Sequence, residues 1–144
     1  MTQGLKALYE ANAYEASVDG ETFALRHGAG CPALDAALVR RGLSCALYVT
    51  AWNPNGQSAE AALNDQAQGR LRARLRHLFH VFEAPGGWPD GKPDPRGERE
   101  PSLLALGVGR TDALALGRDF EQAAVVVHAV FGPSEVVMLG PSAL

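Results

Sequence analysis

The sequence predicts an α+β fold, a single domain spanning residues 1–144 with a mixed or mainly antiparallel sheet and helices packed on it. Three observations carry this expectation. The chain has 144 residues, 47% of them hydrophobic, which suits one domain with one core. Its patterns run helix, hairpin, helix, strand, helix, strand, loop, strand, helix, strand, strand. Hairpin signals at both ends argue against a purely parallel, doubly wound sheet. No internal repeat and no domain linker interrupts the chain.

Residues 4–14 read as a short helix, with Leu5, Leu8 and Tyr9 on one face. Residues 15–19 and 21–26 alternate around Asp19-Gly20, a strong hairpin signal. Pro32 suits the first turn of a helix running to about Arg41, and Gly42 ends it. Cys45 to Ala51 is a buried strand. Ser58 is placed to cap a helix over residues 59–79, with the stripe Leu63, Ala67, Leu71, Leu75 and Leu78. Asn64 falls inside that stripe. His80 to Ala84 reads as a strand. Pro85 to Pro101 packs five prolines and four glycines into 17 residues, so it is expected to be a long loop without a regular element. Ser102 to Val108 is a second buried strand. Thr111 or Asp112 then caps a short helix ending near Phe120. Residues 123–131 and 135–139 are the last strands, and the final one has the makings of an edge that could pair across a homodimer.

Composition narrows the function classes. With 13 basic and 16 acidic residues the formal charge is -3, which suggests neither a nucleic-acid binder nor a polybasic membrane protein. The arginines 70, 72, 74 and 76 form no single helical stripe and read as a solvated face, with nonspecific nucleic-acid binding as the alternative. Cys31 and Cys45 make no disulfide framework and are expected to be thiols. No apolar run is long enough to span a bilayer, and the first residues lack a signal peptide's apolar region. The expectation is a cytoplasmic protein without a membrane partner. The histidines lack clustered ligand spacing, so no metal is assigned, and no motif names a cofactor. His128, in a buried strand, reads as a core histidine with its hydrogen bonds satisfied.

The most informative segment is Leu47-Tyr48-Val49-Thr50-Ala51-Trp52-Asn53-Pro54-Asn55-Gly56. An apolar, β-branched run ends abruptly in an aromatic and two carboxamides at a stiff turn. Sites on α/β scaffolds often lie at such strand ends. Asn53 and Asn55 either present donors and acceptors to a ligand or cap the turn through their own backbone. Trp52 either stacks on a planar ligand or fills the core. Asn64, a carboxamide in an apolar stripe, needs a hydrogen-bond partner and either buttresses the turn or reaches a pocket. Glu100 is held extended by Pro101 and is the candidate general base or cation ligand, with an exposed loop carboxylate as the plain alternative. Ser102 is placed to donate a hydrogen bond beside it. Gln122 follows a helix end and either closes the polar set or is a plain core-edge amide. Arg110, after Gly107-x-Gly109, is the better of two weak anion sites.

These motifs together resemble a bacterial domain-of-unknown-function family of small proteins, DUF3293-like. The resemblance rests on the Tyr14 region, Thr50-Ala51-Trp52-Asn53-Pro54, Asn64, Glu100-Pro101-Ser102 and Phe120-Glu121-Gln122-Ala123. It covers roughly Tyr14 to Val127. The family typically carries Gly where this chain has Glu121. The resemblance implies an intracellular single domain and brings no agreed reaction with it.

The resulting expectation is a pocket near the Trp52–Asn55 turn where Asn53, Asn64, Glu100, Ser102 and Gln122 converge, with the Pro85–Pro101 loop and Trp88 as rim or lid. It would recognise a small polar metabolite or nucleotide, with or without hydrolysis. A non-catalytic protein- or nucleic-acid-interaction module is the alternative.

Overall fold

The computed structural model describes residues 2–52, 59–88 and 99–139. Asn53, Pro54, Asn55, Ser58, and most of the Pro85–Pro101 segment therefore lie outside the described residues. In chain order the elements are α1 (Thr2–Ala11), β1 (Ala13–Val18), β2 (Glu21–Arg26), α2 (Pro32–Arg40), β3 (Cys45–Val49), α3 (Ala61–Arg76), β4 (His80–Ala84), β5 (Gly86–Trp88), β6 (Ser102–Leu106), α4 (Arg110–Asp119), β7 (Ala124–Ala129) and β8 (Ser134–Met138). The fold is α+β, and every strand pairing between these elements is antiparallel. No helix among the described residues is long and apolar enough to cross a membrane.

The strands form two sheets, where the sequence suggested one. A five-stranded sheet runs β4-β6-β3-β7-β8 and a three-stranded sheet runs β2-β1-β5. The chain passes between them at Pro85-Gly86. Proline has no N–H for a ladder, and Gly86 adopts φ 103, a conformation that side chains disfavour. The short strand β5 corrects the expectation that Pro85–Pro101 holds no regular element: Gly86, Gly87 and Trp88 pair with Glu15, Tyr14 and Ala13. Glycine and proline content hid a strand that exists only because β1 offers it an edge.

The large sheet is covered on both faces. Ala46 and Tyr48 of β3 join Leu104, Leu106 and Val126 in a core shared with α2 and the small sheet. Leu47 and Val49, on the opposite face, pack with Leu103, Ala105 and Val127 against α3 and α4. Every residue of β6 is buried, which explains its uninterrupted Ser-Leu-Leu-Ala-Leu run. In α4, Gly117 lets the helix lie against Val125 and Leu139, where a Cβ would overlap both side chains.

The hairpin at Asp19-Gly20 forms with both residues at positive φ, the conformation that Asp-Gly favours. The Asp19 carboxylate receives hydrogen bonds from Arg40 and Arg41, tying the turn to the end of α2.

Helix boundaries and faces needed correction. Tyr14 belongs to β1, because α1 ends at Ala11. The N-cap of α3 is Glu60 and that of α4 is Gly109, neither with a side-chain cap hydrogen bond, so Thr111 and Asp112 sit inside α4. The buried face of α3 is Asn64, Ala67, Gln68, Leu71 and Leu75. Leu63 and Leu78, assigned to the stripe by hydrophobicity, are 56% and 69% exposed. Of the two buried carboxamides, Gln68 meets backbone groups at the strand ends, and Asn64 bonds the Ala59 carbonyl at the start of its own helix.

Candidate functional site at the end of strand β3

A cleft of about 290 Å3 opens between the two sheets at the C-terminal end of β3. Antiparallel pairing brings the first residues of β6 and β7 to that same end. The lining includes Tyr9, Asn12, Tyr14, Tyr48, Thr50, Glu100, Ser102 and Gln122. Tyr9, Tyr14 and Tyr48 are all the tyrosines the chain has. Tyr14 and Tyr48 meet edge to face with ring centroids 5.5 Å apart.

Each tyrosine of that pair is pinned by the backbone. The Tyr14 hydroxyl donates to the Tyr9 carbonyl at 2.6 Å. The Tyr48 hydroxyl donates to the Glu15 carbonyl at 2.8 Å and accepts the Gly86 N–H at 3.0 Å. Tyr48 thereby joins β3 of the large sheet to β1 and β5 of the small one. Burial pushes both phenols well above the ordinary tyrosine range. Burial also raises Tyr9, and the nearby Glu100 carboxylate adds to the effect at Tyr9 and Tyr14.

A second set of bonds positions Glu100. Gln68, from α3, accepts the Ala51 N–H at 2.8 Å and donates to the Pro101 carbonyl at 2.9 Å. The Thr50 hydroxyl donates to the same carbonyl at 2.8 Å. Ser102 donates to the Glu100 carbonyl at 2.9 Å. On the other side, the Glu100 backbone lies against Gly86, where any Cβ would overlap it. Arg99 bonds the Gly86 carbonyl at 2.7 Å and Glu15 at 3.1 Å, and its guanidinium lies 3.5 Å from the Trp88 ring centre. Trp88 itself donates to Glu15 at 2.6 Å.

The residues singled out from sequence fall into three groups. Glu100, Ser102 and Gln122 meet in the cleft. Gln122 donates to the Trp52 and Phe120 carbonyls at 3.1 and 3.2 Å, so Trp52 touches the site through its backbone. The Trp52 indole N–H is buried without a hydrogen-bond partner among the described residues. Asn64 is buried but bonds the Ala59 carbonyl at 3.3 Å, at the start of its own helix, and does not line the cleft. Arg110 lies at the other end of β3, beside Cys45 and His128, and pairs with Glu135 at 2.8 Å. It therefore does not line the cleft. Asn53 and Asn55 lie outside the described residues.

Sequence reasoning missed the tyrosine wall and Gln68. Gln68 had a signal: it follows Asn64 by one helical turn, so both carboxamides share a face with Leu71 and Leu75. Tyr9, Tyr14 and Tyr48 come from three separate elements, and only the packing of α1 and the small sheet against the large one gathers them.

The remaining candidates have structural partners. Arg72 and Arg76 meet Glu83, and Arg74 meets Asp119, which offsets much of the basic run on α3. His128 bonds Asp35 through Nε2 at 2.7 Å and Ser134 through Nδ1 at 2.9 Å, all three buried. Asp35 also accepts the Phe131 N–H at 3.1 Å, tying α2 to the β7–β8 hairpin. Both cysteines are free, Cys31 buried and Cys45 half-buried.

A family model described as a protein of unknown function, DUF3293, matches residues 49–125, more than half of the chain. The chain belongs to the DUF3293 family. No curated protein and no solved structure matches it. The DUF3293 span holds Thr50, Glu100, Ser102 and Gln122 of the cleft lining, and Gln68 behind them, whereas all three tyrosines precede it. Glu121 adopts φ 56 at the end of α4. That left-handed conformation is the physical reason for glycine at such a place.

Proposed function

We propose that this DUF3293 protein binds a small polar molecule in the cleft at the end of β3. One observation carries the reading: the Glu100 carboxylate lines a cleft together with every tyrosine of the chain. The backbone that carries Glu100 is held from both sides, by Gln68 and Thr50 on one and by Gly86 on the other. Such support preorganises a recognition site. The volume suits a compact ligand, since it sits at the lower end of the usual range of roughly 300–1,000 Å3.

The reading is recognition rather than nucleophilic hydrolysis. Ser102 spends its hydroxyl proton on a carbonyl, and no histidine lines the cleft to act as its base. Glu100 is the group placed to exchange a proton with a bound molecule.

A thermal-shift screen against amines, amino acids, sugars and nucleotides tests the proposal. The expected result is a ligand-dependent rise in Tm that Glu100→Gln and Gln122→Leu both weaken. A rise that both variants retain in full would put binding elsewhere on the molecule.

A further inference from the structure

Helix α1 brings Tyr9, in its last turn, and Asn12, just beyond it, to the lining of the cleft. The rest of the helix is thinly attached. Residues 4–8 are all exposed, Leu5 and Leu8 among them, and none of the described side chains of α1 is buried. A helix of 10 residues is marginal by itself in water. Gly4 weakens it further. Glu10 stands in the last turn, where the helix dipole disfavours an acid, and Lys6 before Glu10 is the poorer order for such a pair. What holds α1 in place is therefore what its last turn touches.

That turn meets a firm surface. The Tyr9 ring packs against the core shared by the two sheets, and its carbonyl receives the Tyr14 hydroxyl at 2.6 Å. Glu10 reaches His27, at the end of β2, with 3.3 Å between Oε2 and Nε2. His27 Nδ1 accepts the Val136 N–H at 3.0 Å, which leaves the ring proton on Nε2, facing Glu10. The backbone beside His27 is fastened to β8: Gly28 donates to the Ser134 carbonyl and Ser134 donates to the Ala29 carbonyl, both at 2.8 Å. On the other side of Asn12, Ala13 is buried and paired with both Arg26 and Trp88. Asn12 thus joins a loosely held helix to a tightly held strand. A swing of α1 about Asn12 would withdraw Tyr9 from the cleft and take the acceptor from the Tyr14 hydroxyl, with β1 left in place.

We propose that α1 is a hinged cover on the cleft, turning at Asn12, and that the Glu10–His27 contact latches it shut. The cover rests on the reading of the cleft as a binding site and adds how entry to it is controlled.

Amide hydrogen exchange, together with line broadening by the small neutral nitroxide TEMPOL, tests this on nitrogen-labelled protein. In the unaltered protein the amides of Leu8, Tyr9 and Glu10 should be at least about 100-fold less protected than those of Leu47 and Leu104, because α1 opens locally while the central strands open only on unfolding. Glu10→Ala breaks the latch, yet it suits the helix itself better, since it removes a misplaced charge and Ala is the best helix former. A latch predicts that this variant lowers the protection of the α1 amides by about threefold or more, the size of a partly exposed ion pair. The nitroxide broadening of Gly87, Ser102 and Gln122 should rise with it, and that of Leu47 should not. The amide spectrum shows whether the variant is folded, and Glu10→Gln supplies the same comparison should Glu10→Ala misfold. Protection that stays or rises in the folded variants would overturn the latch. Protection that falls without added broadening in the cleft would mean that α1 frays without uncovering it, and would overturn the cover. So would α1 amides as well protected as Leu47 in the unaltered protein. None of these measurements uses a ligand, so they fail separately from the binding site. A screen in which no compound raises Tm overturns the site, and a cover for its ligand falls with it.

Discussion

Gly86 and Glu100 pack backbone against backbone. Gly86 adopts φ 103, and a Cβ built on it would overlap the Glu100 carbonyl. This contact sets how far Glu100 reaches into the cleft, and Gly86 also donates its N–H to Tyr48. A residue on the short strand β5 therefore helps to place the only carboxylate among the described lining residues.

Gly86→Ala should destabilise the protein by roughly 1–3 kcal/mol from backbone strain alone, with the overlap adding to it. It should also weaken ligand binding in the cleft. Urea unfolding checks the first effect. A loss below about 0.5 kcal/mol, the level of an ordinary surface change, would show that the contact is slack.

Gln68→Leu should leave the Ala51 N–H without its partner and the Pro101 carbonyl with the Thr50 hydroxyl as its remaining donor. A buried group stranded in this way costs about 1–3 kcal/mol. The change should be felt at Glu100, so amide shifts at Ser102 and Gly87 are expected alongside the stability loss. Unchanged signals there would mean that Gln68 supports α3 without positioning the cleft.

Asp35→Ala should cost on the order of 3 kcal/mol, because it strands the buried His128 ring and the Phe131 N–H. The Asp35–His128–Ser134 set has the composition of a hydrolytic triad, yet all three are buried and lie at the far end of β7 from the cleft. Binding in the cleft should be unaffected in the folded fraction. A folded variant with normal stability and lost binding would reverse this assignment.

Alkaline titration should expose the tyrosine wall. Tyr14 and Tyr48 ionise in the folded protein above their ordinary value of 10.0, chiefly because burial disfavours the phenolate. The unfolded chain then loses protons first as pH rises, so the stability these groups contribute is complete below about pH 10 and declines above it. Phenolate absorbance reports only Tyr9, Tyr14 and Tyr48. The signals of Tyr14 and Tyr48 should appear together with unfolding. Full ionisation of all three near pH 10 in a protein that keeps its native near-ultraviolet spectrum would contradict the buried wall.

Glu121→Gly should stabilise the protein by up to about 1 kcal/mol, since Glu121 sits at φ 56 and a left-handed residue with a Cβ carries a cost of roughly 1–2 kcal/mol. Part of that gain is returned through the greater freedom of glycine in the unfolded chain. Thermal unfolding measures the balance, and a clear loss of Tm would point to a role for the Glu121 side chain.

Much of the fold was legible in the chain itself. Alternation around Asp19-Gly20, the apolar runs at Cys45–Val49, Ser102–Leu106 and Ala124–Ala129, and the periodicity of α2 and α3 reflect local rules of strand and helix, so they survive without knowledge of neighbours. The end of β3 was likewise marked as a candidate site by an abrupt change from apolar to polar residues. Glu100, Ser102 and Gln122 could be picked out because each is a polar residue beside a buried strand. Tertiary structure alone decided the rest. β5 exists because β1 has a free edge, which no local pattern at Gly86–Trp88 records. The buried face of α3 turned toward Asn64 and Gln68, away from Leu63 and Leu78, and Gln68 there meets the Ala51 N–H and the Pro101 carbonyl at the strand ends. The tyrosine wall joins residues from α1, β1 and β3, and its assembly depends on how those elements pack together. Local sequence sets which elements form; their packing sets which side chains end up facing the same space.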